Sequence, residues 1–580
     1  MANSGSIEIP EAATNRQPES TAEVIDKHVI TVARAAAGWV TTSTDERVAL
    51  LAECRAAVAS VAREWVEAAC TAKGITLGTP TEGEEWQSGP WVTLRNLRLL
   101  ERSLRDIAAG GLPKLPGNLR RTTSGQVSVP VFPTDNWDRA LFTGFSAEVW
   151  MEPGLTVTDV IERQAWAYRG EAPEPAVSVV LGAGNISSIA PTDMLYELFA
   201  NLRTVVLKMN PVNEYLGPIF ERGFAPLIRA DLLRIVYGGV PAGNYLTEHP
   251  DVSHIHMTGS DKTHDAIVFG TGERGVSAKK ADTPATDKSI SAELGNVTPV
   301  IVVPGPWSDK DLAYQAKNLA VMLTHNAGFN CIATRVLVQS EGWQQRGRLL
   351  DELAAVLETI PPRQAYYPGA AERLSTFVRE HETARMIGDA PSGSLPWTLI
   401  SGLDSSVGDD ICFTTESFTS LMAEVGLPES DPAEFLDAAV EFCNTTVWGS
   451  LGVSLIVHPK SLADPGVSAA MERALEKLAY GTIAINHWTG FGFVIGSSPW
   501  GAHPGHDRTD IQSGTGVVHN TYLLSGVQKT IVRGPWRVTP KPTWFPDHRT
   551  ANEVLERLTY FEASPSLTKL TKVITASLRG

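Results

Sequence analysis

The feature that most constrains the fold of this chain is an alternation of short apolar segments with helical segments, which occurs twice. The first series contains AVSVVLGAGN, APTDMLYELFANL, RTVVLKMNP and VSHIHMTGS. The second series begins at AELGNVTPVIVV, continues through KDLAYQAKNLAVMLTHN and TRVLVQ, and ends at TIAIN. Short apolar strands that alternate with helices are typical of parallel sheets covered by helices on both faces. The sequence therefore predicts an α/β protein with two such domains.

The size and composition of the chain agree with this prediction. The chain has 580 residues, more than one hydrophobic core usually serves, so we expect two or three domains. Hydrophobic residues make up 43% and charged residues 20%, as in ordinary globular proteins. The formal net charge of -16 argues against nucleic-acid binding, which needs a basic face.

Cysteine usage and the N-terminal residues indicate the environment of the protein. The cysteines show no paired spacing and no Cys/His ligand set, so we expect neither a disulfide framework nor a structural zinc; they are Cys54, Cys70, Cys331, Cys412 and Cys443. Residues 1–20 are polar, lack the apolar core of a signal peptide and are predicted to form a disordered leader. No apolar run approaches the ~20 residues that a membrane helix needs. We therefore expect a cytoplasmic protein that does not enter a membrane.

Two places in the sequence could carry chemistry. Ligands of parallel sheets bind beyond the carboxyl ends of the strands, where this chain has Asn185, Lys208 and the Thr258–Ser260 turn. Cys331 follows the polar, glycine-containing loop NAGFN, which could expose the thiol and let backbone dipoles activate it. A free cysteine is more often a small buried hydrophobic residue, so Cys331 alone leaves both readings open.

Eight short motifs in order resemble those of the aldehyde dehydrogenase superfamily. They are GAGNIS, VVLKMNP, HMTGSD, AELGNV, NAGFNC, TTESFTS, AIN and SPWGA. AELGNV resembles the family's Glu-Leu-Gly-Gly motif, and NAGFNC resembles its nucleophile motif. The resemblance covers roughly residues 30–535. It implies a Rossmann-like cofactor domain, a second α/β catalytic domain and a β bridging or oligomerisation element.

The resemblance implies a catalytic role for three residues. Cys331 would be the nucleophile that attacks an aldehyde carbonyl to give a thiohemiacetal, and hydride transfer to NAD or NADP would leave a thioester. Asn185, with the backbone amide of Cys331, would form the oxyanion hole. Glu293 would deprotonate the water that hydrolyses the thioester. On their own, Asn185 could be a turn residue and Glu293 could pair with a neighbouring cation.

The resemblance also implies a binding site for NAD or NADP. Its residues would be Lys208 on the ribose or phosphate, Gly259 and Ser260 at the pyrophosphate, and Glu416 and Phe418 at the nicotinamide riboside. The chain departs from the family pattern on this side. Pro211 stands where many NAD-linked relatives have an acid, and His264 stands where the family usually has glycine. The missing acid favours NADP slightly, because a 2′-phosphate would meet less repulsion.

The resemblance also divides the chain into parts. Residues 21–124 and 155–292 are predicted to form the cofactor domain, and residues 293–500 the catalytic domain. The predicted bridging element is a hairpin at 125–154 together with 501–535, and 536–580 is a helical extension beyond the usual family end. Bridging segments of the family pair across subunits, so a homodimer or homotetramer is implied.

Several alternatives stay open at this point. The leading prediction is an aldehyde dehydrogenase that hydrolyses its thioester; the alternatives are a CoA-acylating dehydrogenase or acyl-thioester reductase, and a catalytically weakened member that acts as a binding protein. Glu293 favours hydrolysis, because acylating relatives commonly lack that base. Aromatic residues near the end of the second series could line an aldehyde tunnel or simply pack; they are Trp488, Phe491 and Phe493. Three histidines lack a carboxylate or cysteine partner at useful spacing, so no metal is predicted; they are His503, His506 and His519.

Overall fold

The computed structural model of the chain describes residues 16–580. Most of the predicted disordered leader, residues 1–15, lies outside these described residues. The described end of that segment contacts the protein, because the backbone N–H of Ser20 donates to the carbonyl of Tyr237 at 3.1 Å. Among residues 16–580, no helix has both the length and the apolarity that a membrane crossing requires.

The strands occur in chain order as follows. They are β1 (Arg120–Arg121), β2 (Val127–Phe132), β3 (Ser146–Met151), β4 (Val177–Leu181), β5 (Thr204–Lys208), β6 (Leu233–Val236), β7 (His254–Thr258), β8 (Ser289–Glu293), β9 (Thr298–Val302), β10 (Thr334–Ser340), β11 (Arg363–Gln364), β12 (Ala384–Ile387), β13 (Ser394–Leu395), β14 (Trp397–Asp404), β15 (Leu421–Leu427), β16 (Gly452–Ile456), β17 (Thr482–Ile485), β18 (Pro499–Trp500), β19 (Gly514–Thr515), β20 (Val518–His519) and β21 (Val527–Arg533).

The α-helices, in the same order, surround these strands. They are α1 (Ala22–Thr41), α2 (Thr44–Ala72), α3 (Glu82–Trp86), α4 (Val92–Ala108), α5 (Asn136–Leu141), α6 (Val157–Arg163), α7 (Ile189–Phe199), α8 (Gly217–Gly223), α9 (Ala225–Arg229), α10 (Val240–Glu248), α11 (Asp261–Phe269), α12 (Gly272–Lys280), α13 (Asp309–Thr324), α14 (Arg346–Glu358), α15 (Ala370–Glu380), α16 (Ile411–Thr414), α17 (Pro432–Thr445), α18 (Pro459–Leu462), α19 (Pro465–Lys477), α20 (Gly490–Val494), α21 (Ala551–Ala563) and α22 (Leu567–Ser577).

The first alternating series forms a six-stranded sheet in the order β19-β8-β7-β4-β5-β6. Strands β4 to β8 pair in parallel, and only the short β19 runs antiparallel to its neighbour β8. Strands β4, β5 and β6 are mostly apolar because helices cover the sheet; α7, for example, buries Leu195 and Leu198. This arrangement confirms the predicted α/β class.

The second series forms an eleven-stranded sheet in the order β1-β2-β3-β21-β17-β16-β9-β10-β15-β14-β12. Its middle strands are parallel, whereas β3 pairs antiparallel with β21 and with β2. Strands of the predicted bridging element, at 125–154 and 527–533, therefore extend the eleven-stranded sheet of their own chain. Two details differ from the prediction: α5 interrupts the hairpin, and β19 joins the six-stranded sheet.

The residues after 536 return to the N-terminal helices. Leu555, Leu558 and Phe561 of α21 pack in one buried cluster with Trp86 and Trp91. The apolar face of α21 repeats every three to four residues, as an amphipathic helix requires. The predicted C-terminal extension is thus part of the core beside α2, α3 and α4.

A buried ion cluster fixes this packing. The guanidinium of Arg95 on α4 donates to Asp138 at 2.8 Å and to Glu562 at 2.9 Å, and all three side chains are 1% exposed. Arg98 also donates to Glu562, at 2.6 Å. Paired and hydrogen-bonded charges of this kind hold their elements in one geometry, since removal of any partner leaves an uncompensated buried charge.

Candidate active site

The carboxyl ends of the strands in both sheets open onto one cavity of about 940 Å³. All eight residues that the sequence predicts for the site line it: Asn185, Lys208, Gly259, Ser260, Glu293, Cys331, Glu416 and Phe418. They come from positions as far apart in the chain as 185 and 418, so the fold alone brings them together. Their individual roles stay predictions.

Cys331 stands after a tight turn between α13 and β10. Asn326 and Ala327 in that turn have positive φ angles of 54° and 58°, so the chain reverses sharply and presents the thiol to the cavity. The side chain is half-buried. Burial raises the pKa of the Cys331 thiol well above its usual range, and the carboxylates of Glu416 and Glu293 add to the rise. A backbone hydrogen bond at Cys331 lowers the pKa of the thiol, but burial outweighs it, and activation of the thiol stays a prediction.

Asn185 is held rigidly beside this turn. Its side-chain amide donates to the carbonyl of Phe329 at 2.9 Å, which uses one of its two N–H groups. Its backbone carbonyl accepts hydrogen bonds from Lys73 Nζ at 3.1 Å and from the Tyr366 hydroxyl at 3.1 Å. Asn185 lines the cavity, and its side-chain nitrogen has no second acceptor among the residues that the structure describes.

Lys73 is a support that sequence reasoning missed. Its ammonium is 2.9 Å from the carboxylate of Glu85, and the side chains are 4% and 1% exposed. It also donates to Asn326 Oδ1 at 3.0 Å, so one buried cation joins the Asn185 loop to the turn before Cys331. No local signal in the helix that ends near Lys73 predicts a contact 112 residues away.

Glu293 is the last residue of β8 and is 5% exposed. Its Oε1 atom is buried and has no hydrogen-bond partner among the residues that the structure describes. Burial raises the pKa of Glu293 well above its usual range, and the nearby carboxylate of Asp193 raises it further. Asp193 and His256, both buried, lie beside Glu293, and the sequence analysis named neither.

The other half of the cavity has the chemistry of a dinucleotide site. Gly259 follows β7 directly, and its backbone N–H donates to the carbonyl of Glu293 at 3.0 Å. Ser260 caps α11, with its hydroxyl accepting from the N–H of Thr263 at 3.2 Å. Lys208 ends β5 half-buried, and burial lowers its pKa although Glu214 opposes the shift. A helix N-terminus and a cation therefore line the same space. Both stabilise bound anionic groups such as the phosphates of a dinucleotide.

Glu416 and Phe418 form the wall opposite Lys208. A Cβ added to Gly295 would lie 2.0 Å from Glu416 Oε2, so only glycine lets this carboxylate approach. Glu416 Oε1 is buried without a partner among the described residues, and burial raises the pKa of Glu416 to about 7, against the effect of Arg335. An orphaned acceptor suits the hydroxyl donors of a ribose, so the residues present fit NAD or NADP.

The remaining wall is aromatic and apolar. It contains the three aromatic residues that the sequence suggested for a tunnel, and others that the sequence did not; together they are Trp91, Phe142, Trp488, Phe491, Phe493, Trp544, Leu555 and Leu558. Trp488 also donates its indole N–H to the carbonyl of Ile332 at 2.7 Å, next to Cys331. The last three residues come from the C-terminal segment, which no local pattern assigns to a site.

The histidines considered for a metal do not converge. His503 Nδ1 lies 2.8 Å from the carbonyl of Pro504 in its own loop, and His506 Nε2 is 2.8 Å from the hydroxyl of Ser450. His519 is buried against the ring of Phe493, with 4.4 Å between ring centroids. Among residues 16–580, neither group of possible metal-ligating side chains contains any of these three histidines.

Comparisons with known proteins point to one family. Residues 195–371 match the aldehyde dehydrogenase family. A 304-residue stretch is 25% identical to an aldehyde dehydrogenase of Enchytraeus buchholzi, covering 50% of this chain and 54% of that protein. A 112-residue stretch is 34% identical to the human 4-trimethylaminobutyraldehyde dehydrogenase, covering 19% of each. The matched stretches therefore span about half the length, or less, of these curated relatives.

Solved structures match over most of the chain. A putative aldehyde dehydrogenase from Burkholderia cenocepacia superposes with a TM-score of 0.56 at 19% identity, covering 90% of this chain and 93% of that one. An NADP-dependent glyceraldehyde-3-phosphate dehydrogenase from Bacillus halodurans, solved with NADP, gives 0.58 at 16% identity, covering 89% and 92%. Likeness at these identities shows the fold alone.

Proposed function

The chain is a divergent member of the aldehyde dehydrogenase superfamily, and on this premise we propose that it oxidises an aldehyde to a carboxylic acid with NAD or NADP as electron acceptor. One observation carries the proposal. Cys331, Asn185, Glu293, Lys208 and Glu416 all line one cavity. A nucleophile, an oxyanion donor and a base thus share one space with a cation and an acceptor for hydroxyl groups.

The cofactor bound there supplies the two-electron acceptor, and the residues of the chain do the rest. The Cys331 proton passes to solvent water, and the resulting thiolate bonds to the aldehyde carbon to form a thiohemiacetal. The negative oxygen is held by the free N–H of Asn185 and the backbone amide of Cys331. One such donor is worth about 3 kcal/mol, because charge develops on that oxygen only as the bond forms. The buried contacts of Asn185 keep this donor in place.

Transfer of a hydride from the thiohemiacetal carbon to the bound cofactor would leave a thioester on Cys331. Glu293 acts on this thioester. Its high pKa makes it a stronger base, once ionised, than an exposed carboxylate, so it can remove a proton from an attacking water. General-base catalysis of this kind contributes about 10²–10⁴-fold to a rate. A CoA-acylating reaction would need a thiol in place of this water, and Glu293 favours water.

The aromatic wall suggests the class of aldehyde. Trp91, Phe142, Phe493 and Trp544 give the cavity an apolar end beyond Cys331. Apolar walls bind apolar groups, and each buried CH₂ contributes about 0.8 kcal/mol. We therefore expect bulky aliphatic or aromatic aldehydes to be better substrates than short polar ones. Pro211 lines the cavity near Lys208, and the acid it replaces would repel a 2′-phosphate, so NADP is slightly favoured.

Replacement of the thiol tests the proposal. Cys331→Ser should abolish aldehyde oxidation while leaving the affinity for NAD or NADP within about 2-fold, because the hydroxyl is a far weaker nucleophile and lies outside the cofactor half. Turnover is followed by reduced-nicotinamide absorbance with aliphatic and aromatic aldehydes, with and without CoA. Binding is followed by tryptophan fluorescence, and Cys443→Ser, a buried cysteine far from the cavity, is the matched control.

Three outcomes of this experiment would contradict the proposal in different ways. Unchanged turnover of Cys331→Ser would refute the nucleophile assignment. Product formation that depends on CoA would favour the acylating alternative. If neither NAD nor NADP binds saturably, the result would favour the alternative of a catalytically weakened member that acts as a binding protein. The cytoplasmic location and the homodimer or homotetramer stay predictions.

A further inference from the structure

Behind Glu293, polar side chains follow the adjacent strands β7 and β8. The parallel register places His254 beside Ser289, His256 beside Ser291 and Thr258 beside Glu293. Because side chains alternate between the faces of a strand, residues two apart point to the same side of the sheet. The two strands therefore carry a ladder of imidazole and hydroxyl groups that ends at Glu293. Such groups inside a parallel sheet need a reason, since these strands are normally apolar.

The members of this ladder form a continuous hydrogen-bonded chain. The hydroxyl of Ser289 is 2.7 Å from His254 Nδ1, and His254 Nε2 is 3.0 Å from the hydroxyl of Ser291. The same Ser291 hydroxyl is 2.8 Å from His256 Nδ1. A hydroxyl donates one proton and accepts another, and a neutral imidazole does the same at its two nitrogens. Each link can therefore pass a proton along in either direction.

The inner end of the chain reaches Glu293. A ring nitrogen of His256 and one carboxylate oxygen each of Asp193 and Glu293 lie within 4.8 Å of one another, and all three side chains are buried. His256 Nε2 faces Asp193 Oδ2 at 3.4 Å, and Asp193 Oδ2 also accepts from the hydroxyl of Thr258 at 2.9 Å. One water molecule spans a separation of this size between polar groups. The outer end, Ser289, is exposed to solvent.

Glu293 needs such a route. Its raised pKa means that it carries a proton at rest, and this proton must leave as Glu293 accepts one from the attacking water. Burial lowers the pKa of His254 to about 4, so this imidazole is neutral and free to relay. Burial also opposes protonation of His256, but Asp193 outweighs it and raises the pKa of His256. Asp193 therefore stabilises the imidazolium that forms when His256 Nε2 has accepted a proton and Nδ1 has not yet released its own.

We propose that His256, Ser291, His254 and Ser289 form a proton relay that connects the general base Glu293 with solvent. The relay starts with Glu293 protonated and His256 neutral, with its hydrogen on Nδ1. When water attacks the thioester, its proton passes to one carboxyl oxygen of Glu293 while the other oxygen gives its proton to His256 Nε2. In the same step His256 Nδ1 gives a proton to Ser291; Ser291 gives one to His254 Nε2, and His254 Nδ1 gives one to Ser289 and solvent. Each group receives one proton and releases one. The inference rests on the proposed function, because it needs Glu293 to be the base.

A cofactor-free reaction isolates this step. 4-Nitrophenyl acetate should acylate Cys331, with release of 4-nitrophenol, and leave a thioester that Glu293 hydrolyses. The acyl-enzyme is separated by rapid desalting, its site is mapped by peptide mass spectrometry, and its decay is followed by intact-mass spectrometry. The variants are Ser291→Ala, Ser291→Thr and Glu293→Gln. Ser178→Ala is the matched control, because Ser178 is a buried serine on β4 whose hydroxyl has no partner among the described residues.

We expect Ser291→Ala to be acylated at the wild-type rate. It should lose the acyl group at least about 10-fold more slowly, because general-base catalysis would be impaired. Glu293→Gln should be at least as slow. Ser291→Thr, which keeps the hydroxyl, should recover wild-type decay within about 2-fold, and Ser178→Ala should match the wild type. In mixtures of H₂O and D₂O, the wild-type decay rate should depend non-linearly on the deuterium fraction, because several protons move together.

The outcomes separate the two proposals. Absence of an acyl group on Cys331 in the wild type would overturn the proposed function and the relay with it. An acyl-enzyme that decays equally fast in Ser291→Ala would overturn the relay and leave the proposed function standing. Equal slowing in Ser291→Ala and Ser291→Thr would show a structural effect of residue 291 and also overturn the relay. A wild-type decay rate that depends linearly on the deuterium fraction would also overturn the relay.

Discussion

Single residues in the cavity have protonation states that their surroundings set. Glu416 is the clearest case, because burial brings its pKa to about 7, within the range where a protein is assayed. Below that pH the carboxyl is neutral; above it the carboxylate is ionised and is a stronger acceptor for hydroxyl groups. The affinity for NAD or NADP should therefore increase as the pH rises through 7.

This pH dependence is a prediction with a definite size. If only the ionised Glu416 binds well, the dissociation constant should fall about 10-fold between pH 6 and pH 8, since the ionised fraction rises about 10-fold. Fluorescence titrations at the two pH values measure it. Glu416→Gln should bind weakly at both. A wild-type affinity that is the same at pH 6 and pH 8 would contradict this role.

Gly295 allows Glu416 its position. A methyl group at Gly295 would overlap Glu416 Oε2, so Gly295→Ala should displace the carboxylate and weaken cofactor binding by about 10-fold or more, at 1.4 kcal/mol per factor of ten. Gly347→Ala is the control, because nothing lies within 4 Å of the added methyl. Equal affinities of the two variants, measured by fluorescence titration, would argue against this steric account.

At the level of elements, the contact between α4 and α21 depends on Arg95. Arg95→Met should leave Asp138 without its main cation and Glu562 with Arg98 alone, and should cost about 3–5 kcal/mol of the free energy of unfolding. Arg63→Met removes a cation that joins α2 to Glu556 of α21 near the surface, and should cost at most about 1 kcal/mol. Urea denaturation measures both losses. Similar losses for the two variants would mean that burial does not govern this contact.

The elements also show how far sequence reasoning extends. The alternation of apolar and helical segments predicted both sheets, because the period of a strand or helix is a local property. The motifs predicted the eight cavity residues, because each stands at a strand end or turn. Lys73, Asp193 and Trp544 have no such signal: Lys73 caps a helix, Asp193 stands within one and Trp544 lies in a loop. Only the tertiary contacts bring these three to the site.

For the whole molecule, the C-terminal segment bears on substrate choice. Trp544 packs against His487, with ring centroids 4.9 Å apart, and lines the apolar end of the cavity. Trp544→Ala should enlarge that end and raise the ratio of kcat/KM for bulky over short aldehydes by about 10-fold. This is the size of effect that a changed contact in an apolar pocket has on substrate discrimination. Trp166→Ala, at a tryptophan that is 48% exposed, is the control. An unchanged ratio would remove Trp544 from the substrate wall.

The position of Leu555 and Leu558 in the cavity wall has a consequence for biosynthesis. Every other residue of that wall precedes them in the chain. A nascent chain in which Cys331 and Glu293 have already been synthesised therefore still lacks part of the cavity wall. Translation must pass residue 558 before the wall of the cavity is complete.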